Sequence, residues 1–256
     1  MPNFIGTGSP LTEAGFAAAS STNGIDAPTL WAVLSVEASG CGYLEDRRPK
    51  ILFERHVFRR LTGAQFDQTH PDISGTNGNP HGADGAPQYA RLEEALALDA
   101  TAALLSASWG LGQIMGENFH SAGFDSIDDM VAAMVASEDK QLEGMATFIK
   151  ADGHMGPALR TADWAGFAKR YNGPAFKGNR YDEKLAEAHT KCSAKLPDLR
   201  VRTAQIYLTY HGFAPGPIDG ELGSRTTNAV KAFQQARGMT QNGVIDDALL
   251  TALAKV

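Results

Sequence analysis

The sequence predicts a mainly α protein of two domains, a large helical one with little strand and a small one of three helices. Three observations lead there. Apolar residues recur at helical spacing in Leu30, Val33 and Leu34, in Met130, Val131, Met134 and Val135, and in Trp164, Phe167, Ala168 and Tyr171. A single short segment, Lys50 to Phe53, reads as strand. A break at Leu196-Pro197-Asp198 separates a polar helical stretch, Tyr181 to Lys195, from a fresh amphipathic pattern, placing the domains at 1–196 and 197–256.

The elements follow in order. Asp26 and Pro28 start a helix before Leu30. The stretch between Asp72 and Tyr89, largely GTNGNPHGADGAPQY, has no apolar period and reads as a long surface flap, with His81 and Asp84 as turn residues or, as the lesser alternative, substrate contacts. Ser126 to Asp129 forms an S-x-x-D cap before Met130. In the small domain Val201, Ala204, Gln205 and Leu208 share a helix face, and Gly212 ends that helix. A second helix starts near Ser224 and carries Val230 and Phe233. A third, Asp247 to Ala254, buries Leu249, Leu250 and Leu253. The loops GFAPGPID and GMTQNGVID resemble each other, each turning and inserting one isoleucine, Ile218 or Ile245, as a core plug before an aspartate.

Composition narrows the function. The formal charge is −6 and the basic residues form no stripe, which argues against a nucleic-acid partner. No run reaches the roughly 20 apolar residues of a membrane span. The start, MPNFIGTGSP, lacks the basic and apolar regions of a secretory signal, so cytoplasmic synthesis without a signal peptide is expected. Cys41 and Cys192 are expected to be separate reduced thiols. The seven histidines show no H-E-x-x-H or similar spacing, so no metal and no cofactor are expected, and zinc peptidases are disfavoured. Nucleotide-binding glycine patterns are absent from the sequence as well.

One carboxylate breaks its pattern. In DAPTLWAVLSVEASG the apolar face runs Leu30, Val33, Leu34, and the next position on it is Glu37, with Gly40 ending the helix. An inward carboxyl loses solvation, and the negative end of the helix dipole disfavours its ionisation further. A glutamic acid kept protonated near neutral pH suits a glycosidase acid. The pattern alone leaves a second reading, in which Glu37 pairs with Arg47 or Arg48 or turns out to solvent.

Two later segments bear on that choice. SASWGLGQIMG, from Ser106 to Gly116, sets three glycines around Leu111, Gln113 and Ile114, as for a close backbone approach to a surface such as a sugar. DWAGFAKRYNG ends a buried helix face on Tyr171, whose hydroxyl needs a partner. Either segment also fits plain packing.

The order Val36-Glu37-Ala38-Ser39-Gly40, Gly110-Leu111-Gly112-Gln113-Ile114, Tyr171-Asn172-Gly173 resembles the goose-type lysozyme and lytic transglycosylase superfamily. The resemblance implies a lysozyme-like α+β catalytic domain with Glu37 as catalytic acid. Gln113, with Gly112 and Ile114 beside it, would bind the N-acetyl sugar, and Tyr171 and Asn172 would line the cleft. CGYLEDRRPKILFERHVFRRLTG and SASWGLGQIMGENF are more closely similar to the N-acetylmuramidase domain of phage and prophage endolysins, over nearly all of residues 11 to 195. That family places a second acidic residue seventeen positions after the first, which implies Glu54. Glu45 or Asp46 is an alternative base, although Arg47 and Arg48 beside them suggest internal charge pairing. His56 would orient Glu54 or serve local structure. Ala38 departs from the E-S of goose-type enzymes, so transglycosylase details do not carry over.

The C-terminal segment, through Gln205, Gly212, Ile218-Asp219-Gly220, Thr226, Phe233-Gln234 and Gly243, resembles the small helical peptidoglycan-binding domain. Its usual glycine and threonine are replaced by Asp246-Asp247-Ala248. Such a domain would tether the enzyme to its substrate. The resemblance thus implies a monomeric endolysin that cleaves the β-1,4 bond between N-acetylmuramic acid and N-acetylglucosamine, released to the wall by a separate holin. A transglycosylase, and a non-catalytic wall-binding or baseplate component, are the alternatives.

Overall fold

The computed structural model describes residues 3–37, 40–76, 82–174 and 176–256. Helices α1 (Glu13–Asn23) and α2 (Ala27–Glu37) open the chain. The Asp26 side chain accepts the Thr29 N–H at 2.9 Å and so starts α2 where the sequence placed the start. The expected apolar stripe is, however, a continuous belt. Leu30, Trp31, Ala32, Val33 and Leu34 are all buried. A helix apolar all round runs through a domain rather than over it, and α2 packs lengthwise on α10 (Tyr181–Ala194).

The sheet is small and antiparallel, in the order β1 (Ile51–Phe53), β2 (Ala107–Trp109), β3 (Ile114–Met115), with Ile51 and Ile114 both facing Trp109 across the ladders. The sequence indicated β1 alone; the β2–β3 hairpin is too short to show an alternation. Three helices surround it: α3 (Arg55–Leu61), α4 (Pro87–Leu98) and α5 (Ala100–Leu105). Gln88 on α4 is buried, accepts the Phe53 N–H at 3.0 Å and donates to the Ala83 carbonyl, tying α4 to β1. The expected surface flap is anchored by buried Ile73 and Ser74, while its stretch 77–81, with His81, lies outside the described residues.

Next come α6 (Ile127–Ala136), α7 (Glu138–Ala151), α8 (Met155–Arg160) and α9 (Trp164–Tyr171). Ser126 caps α6 as its S-x-x-D motif requires, accepting the Asp129 N–H at 3.0 Å. The inner face of α7 is partly polar: Glu138 and Gln141 are buried beside Leu142, Met145 and Ile149. Gln141 accepts the Leu111 N–H and donates to the Met134 carbonyl, both at 2.7 Å. This explains the hairpin glycines. A Cβ on Gly110, whose φ is +68°, would lie 2.7 Å from Gln141 Cδ, and one on Gly112 would lie 2.9 Å from Met145 Cγ. The protein surface these glycines approach is α7.

The last helices, α11 (Leu199–Tyr210), α12 (Ser224–Ala236) and α13 (Asp247–Leu253), enclose a second core of Ala204, Leu208, Ala229, Val230, Phe233, Leu249 and Leu253. Asp246 caps α13 by accepting the Leu249 N–H at 2.8 Å, which gives the departing Asp246-Asp247-Ala248 string a role. Ile245 packs on this core as expected. Ile218 does not; it lies against Gly40 of the large domain. Cys41 and Cys192 are both free and buried. Among the described residues no helix is long and apolar enough to cross a membrane.

Replacing Gln141 with Leu leaves the Leu111 N–H buried and unpaired. A loss of about 1–3 kcal/mol is expected, read as a lower urea midpoint.

Candidate active site

Glu37 is the last residue of α2, at the edge of a cleft of about 400 Å³ that is also lined by Leu44, Lys50, Ile51, Leu52, Asp84, Gly85, Gly110 and Gln113. The belt of buried residues before it fixes the helix and carries the carboxyl inside. Burial pushes the Glu37 carboxyl up from 4.5 to about 7, against the opposing pull of the Asn172 hydrogen bond and the Lys184 charge. The two alternatives left open by the sequence do not occur. Arg48 pairs with Asp46 at 2.7 Å and lies over the Tyr89 ring, and among the described residues Glu37 makes no salt bridge. The same pairing bears out internal charge matching in the Glu45–Arg48 turn.

Helix α9 supplies the partner. Asp163 caps its start, and Asn172 ends it with its backbone N–H on the Ala168 carbonyl. That places the Asn172 Nδ2 at 3.1 Å from both oxygens of Glu37. Among the described residues, Asn172 Oδ1 is buried without a hydrogen-bond partner. Tyr171, one residue earlier, donates its hydroxyl to the Gly112 carbonyl at 2.6 Å, and its ring stacks on Phe167. Burial and the nearby Glu37 charge push that hydroxyl well above its usual range. The Tyr171 hydroxyl thereby ties α9 to the hairpin.

Gln113 lines the cleft with a backbone φ of +47°. Its Oε1 accepts from Ser108 Oγ at 2.9 Å. Its Nε2 donates to the carbonyls of Gly110 at 2.9 Å and Lys50 at 3.3 Å. Both amide hydrogens are thus occupied in joining the hairpin to the approach of β1, leaving one lone pair of Oε1 for a ligand. Gly112 and Ile114 do not face the cleft with side chains: Gly112 is buried against α7, and Ile114 is a core residue with 3% exposure. Their contribution is packing. Asp84, read from the sequence as a turn residue, stands on the cleft wall.

Glu54 follows β1 and precedes α3, with its N–H on the Ser106 carbonyl at 2.8 Å. Lys50, Ile51 and Leu52 before it line the cleft, while Phe53 is buried in the core. Glu54 lies beyond the cavity lining itself. His56 Nδ1 stands 3.2 Å from Glu54 Oε2, the orienting contact the sequence held open, and Arg91 adds positive charge nearby.

A glutamic acid raised by burial at a cleft edge, held by an amide beside a short hairpin, is an arrangement that a lysozyme-type glycosidase can use. Residues 26–193 match the N-acetylmuramidase family model, and residues 198–253 match that of a peptidoglycan binding domain. The chain belongs to the N-acetylmuramidase family. Among solved structures, the Burkholderia AP3 phage endolysin is similar at 38% identity and a TM-score of 0.66, over 72% of this chain and 71% of that one. No curated protein matches.

The raised Glu37 carboxyl has a stability consequence. Between pH 4.5 and 7 the folded state holds a proton that the unfolded state has released, so stability falls as pH rises through that window. Glu37→Gln removes the penalty. The variant is expected to match the parent near pH 4 and to exceed it by roughly 3 kcal/mol at pH 8, by urea denaturation.

Proposed function

We propose that this chain is an endolysin that hydrolyses the β-1,4 bond between N-acetylmuramic acid and N-acetylglucosamine, with Glu37 as general acid. The observation that carries the reading is the cleft-edge Glu37 carboxyl, raised by burial to about 7 and held by an amide rather than a cation. At neutral pH it has a proton for the leaving glycosidic oxygen. Glu54 serves as the second carboxylate, either activating water or stabilising the oxocarbenium-like transition state. Carboxyl separations of roughly 6.5–9.5 Å suit the first role with inversion, and about 5–5.5 Å a covalent intermediate.

Asn172 plays two parts in this reading. It orients Glu37, and its unpaired Oδ1 accepts from a sugar hydroxyl or N-acetyl N–H. Gln113 offers the remaining lone pair of its Oε1 to the sugar, while Tyr171, Gly112 and Ile114 hold the hairpin behind it. Residues 1–196 form the catalytic domain, and 197–256 bind peptidoglycan. The protein works as a monomer, made in the host cytoplasm and released by a separate holin to the wall in the periplasm.

Digestion of purified peptidoglycan followed by borohydride reduction tests the reaction. Muramitol at the new ends is expected. Products carrying 1,6-anhydromuramic acid would replace the hydrolase with a transglycosylase, and glucosaminitol would replace the bond assigned here. Glu37→Gln should lower kcat by about 10²–10⁴ while wall binding persists; a fully active variant would remove Glu37 from the chemistry.

A further inference from the structure

The C-terminal domain reaches into the catalytic domain at the segment that follows the acid. Arg202 on α11 is 4% exposed and Glu138 at the start of α7 is fully buried. The Arg202 Nη1 donates to Glu138 Oε2 at 2.6 Å and its Nη2 to Oε1 at 2.8 Å, a bidentate fork. The same guanidinium donates twice to the Gly40 carbonyl, from Nη2 at 2.9 Å and Nε at 3.2 Å. Glu138 meanwhile accepts the Gly42 N–H at 2.8 Å. The pair therefore grips the backbone on both sides of Cys41, three and five residues after Glu37.

The grip continues into the cleft. The Gly42 carbonyl accepts the Lys50 N–H at 2.8 Å, and Lys50 lines the cleft before β1. Gly40 has a φ of +101°, and a Cβ there would stand 3.2 Å from Ile218 Cβ and 3.3 Å from the Ile218 carbonyl oxygen. The small domain thus supplies a cation to one side of this turn and a wall to the other. The Tyr210 hydroxyl, one helix end further on, donates to the Gly8 carbonyl and closes the contact.

We propose that Arg202 is a positioning residue for Glu37, so that the C-terminal domain is a working part of the catalytic cleft as well as a binding module. The proposal rests on the assignment of Glu37 as the acid. Arg202 touches no substrate; it acts by fixing the Gly40–Gly42 turn between the end of α2 and the cleft wall.

Two full-length variants test it. Arg202→Lys keeps the charge against Glu138 and loses the fork. Glu138→Met with Arg202→Met replaces the ion pair by apolar side chains, which buried pairs tolerate, and loses the hold on Gly40 without leaving a lone buried charge. For folded protein, kcat is expected to fall about ten- to a hundred-fold with KM within two-fold of the parent, since a misplaced acid affects turnover rather than binding. The Asn172 side-chain amide resonances, which report on the Glu37 contact, are expected to shift in both variants. Unchanged kcat and unchanged Asn172 resonances in either folded variant would overturn the proposal. Shifted resonances in a parent that releases no muramic reducing ends would support the positioning and sink the muramidase reading instead.

Discussion

Glu138 is the group on which the described architecture converges. Its two oxygens receive the Leu11 N–H from the N-terminal segment, the Gly42 N–H from the turn after Glu37, and the fork of Arg202 from the C-terminal domain. Three distant stretches of chain meet on one carboxylate with no exposure to water. Burial pushes Glu138 up, yet the Arg202 charge and these hydrogen bonds outweigh it and hold the group below its usual range. Removing one member of such a pair costs on the order of 3–5 kcal/mol, because the other is left charged in a dry site.

Glu37 is the opposite solution to the same physical problem. It too is pulled out of water, but it receives one neutral amide and a distant lysine rather than a guanidinium. Without a full compensating charge, the carboxyl keeps its proton to about pH 7. One buried glutamate therefore builds the scaffold by staying ionised, and the other resists ionisation, as the proposed chemistry requires. The two are joined through the Gly40–Gly42 turn. A consequence follows for the C-terminal domain: deleting it does more than remove a tether, because it leaves Glu138 buried without its cation.

Much of the fold was legible in the sequence because its signals are local. Caps at Asp26 and Ser126, the strand at Ile51–Phe53 and the helix face of Val201, Ala204 and Leu208 each follow from residues a few positions apart. The burial of Glu37 was legible because a carboxylate stood at an apolar position, even though α2 proved apolar over a continuous belt. What the sequence did not yield is long-range. The glycines of the hairpin read equally well as a sugar platform and as a packing surface, and the packing contact shows only once Gln141 is placed beside them. Ile218 carries the same local signature as Ile245, yet it serves the domain contact, since its neighbour Gly40 is far away in the chain. Glu138 and Gln141 did leave a trace. They sit on the helical face of Leu142, Met145 and Ile149, breaking an apolar pattern by the same rule that exposed Glu37.

The account stands on the protonation of Glu37 at working pH. The most direct measurement is the carboxyl titration of Glu37 in the intact protein, followed by ¹³C NMR with side-chain labelled glutamate and assigned by Glu37→Gln. A midpoint near 7, with Glu138 ionised throughout the same range, is the expected result. A Glu37 midpoint near the ordinary 4.5 would show an ionised carboxylate at neutral pH, and would contradict its role as the proton donor.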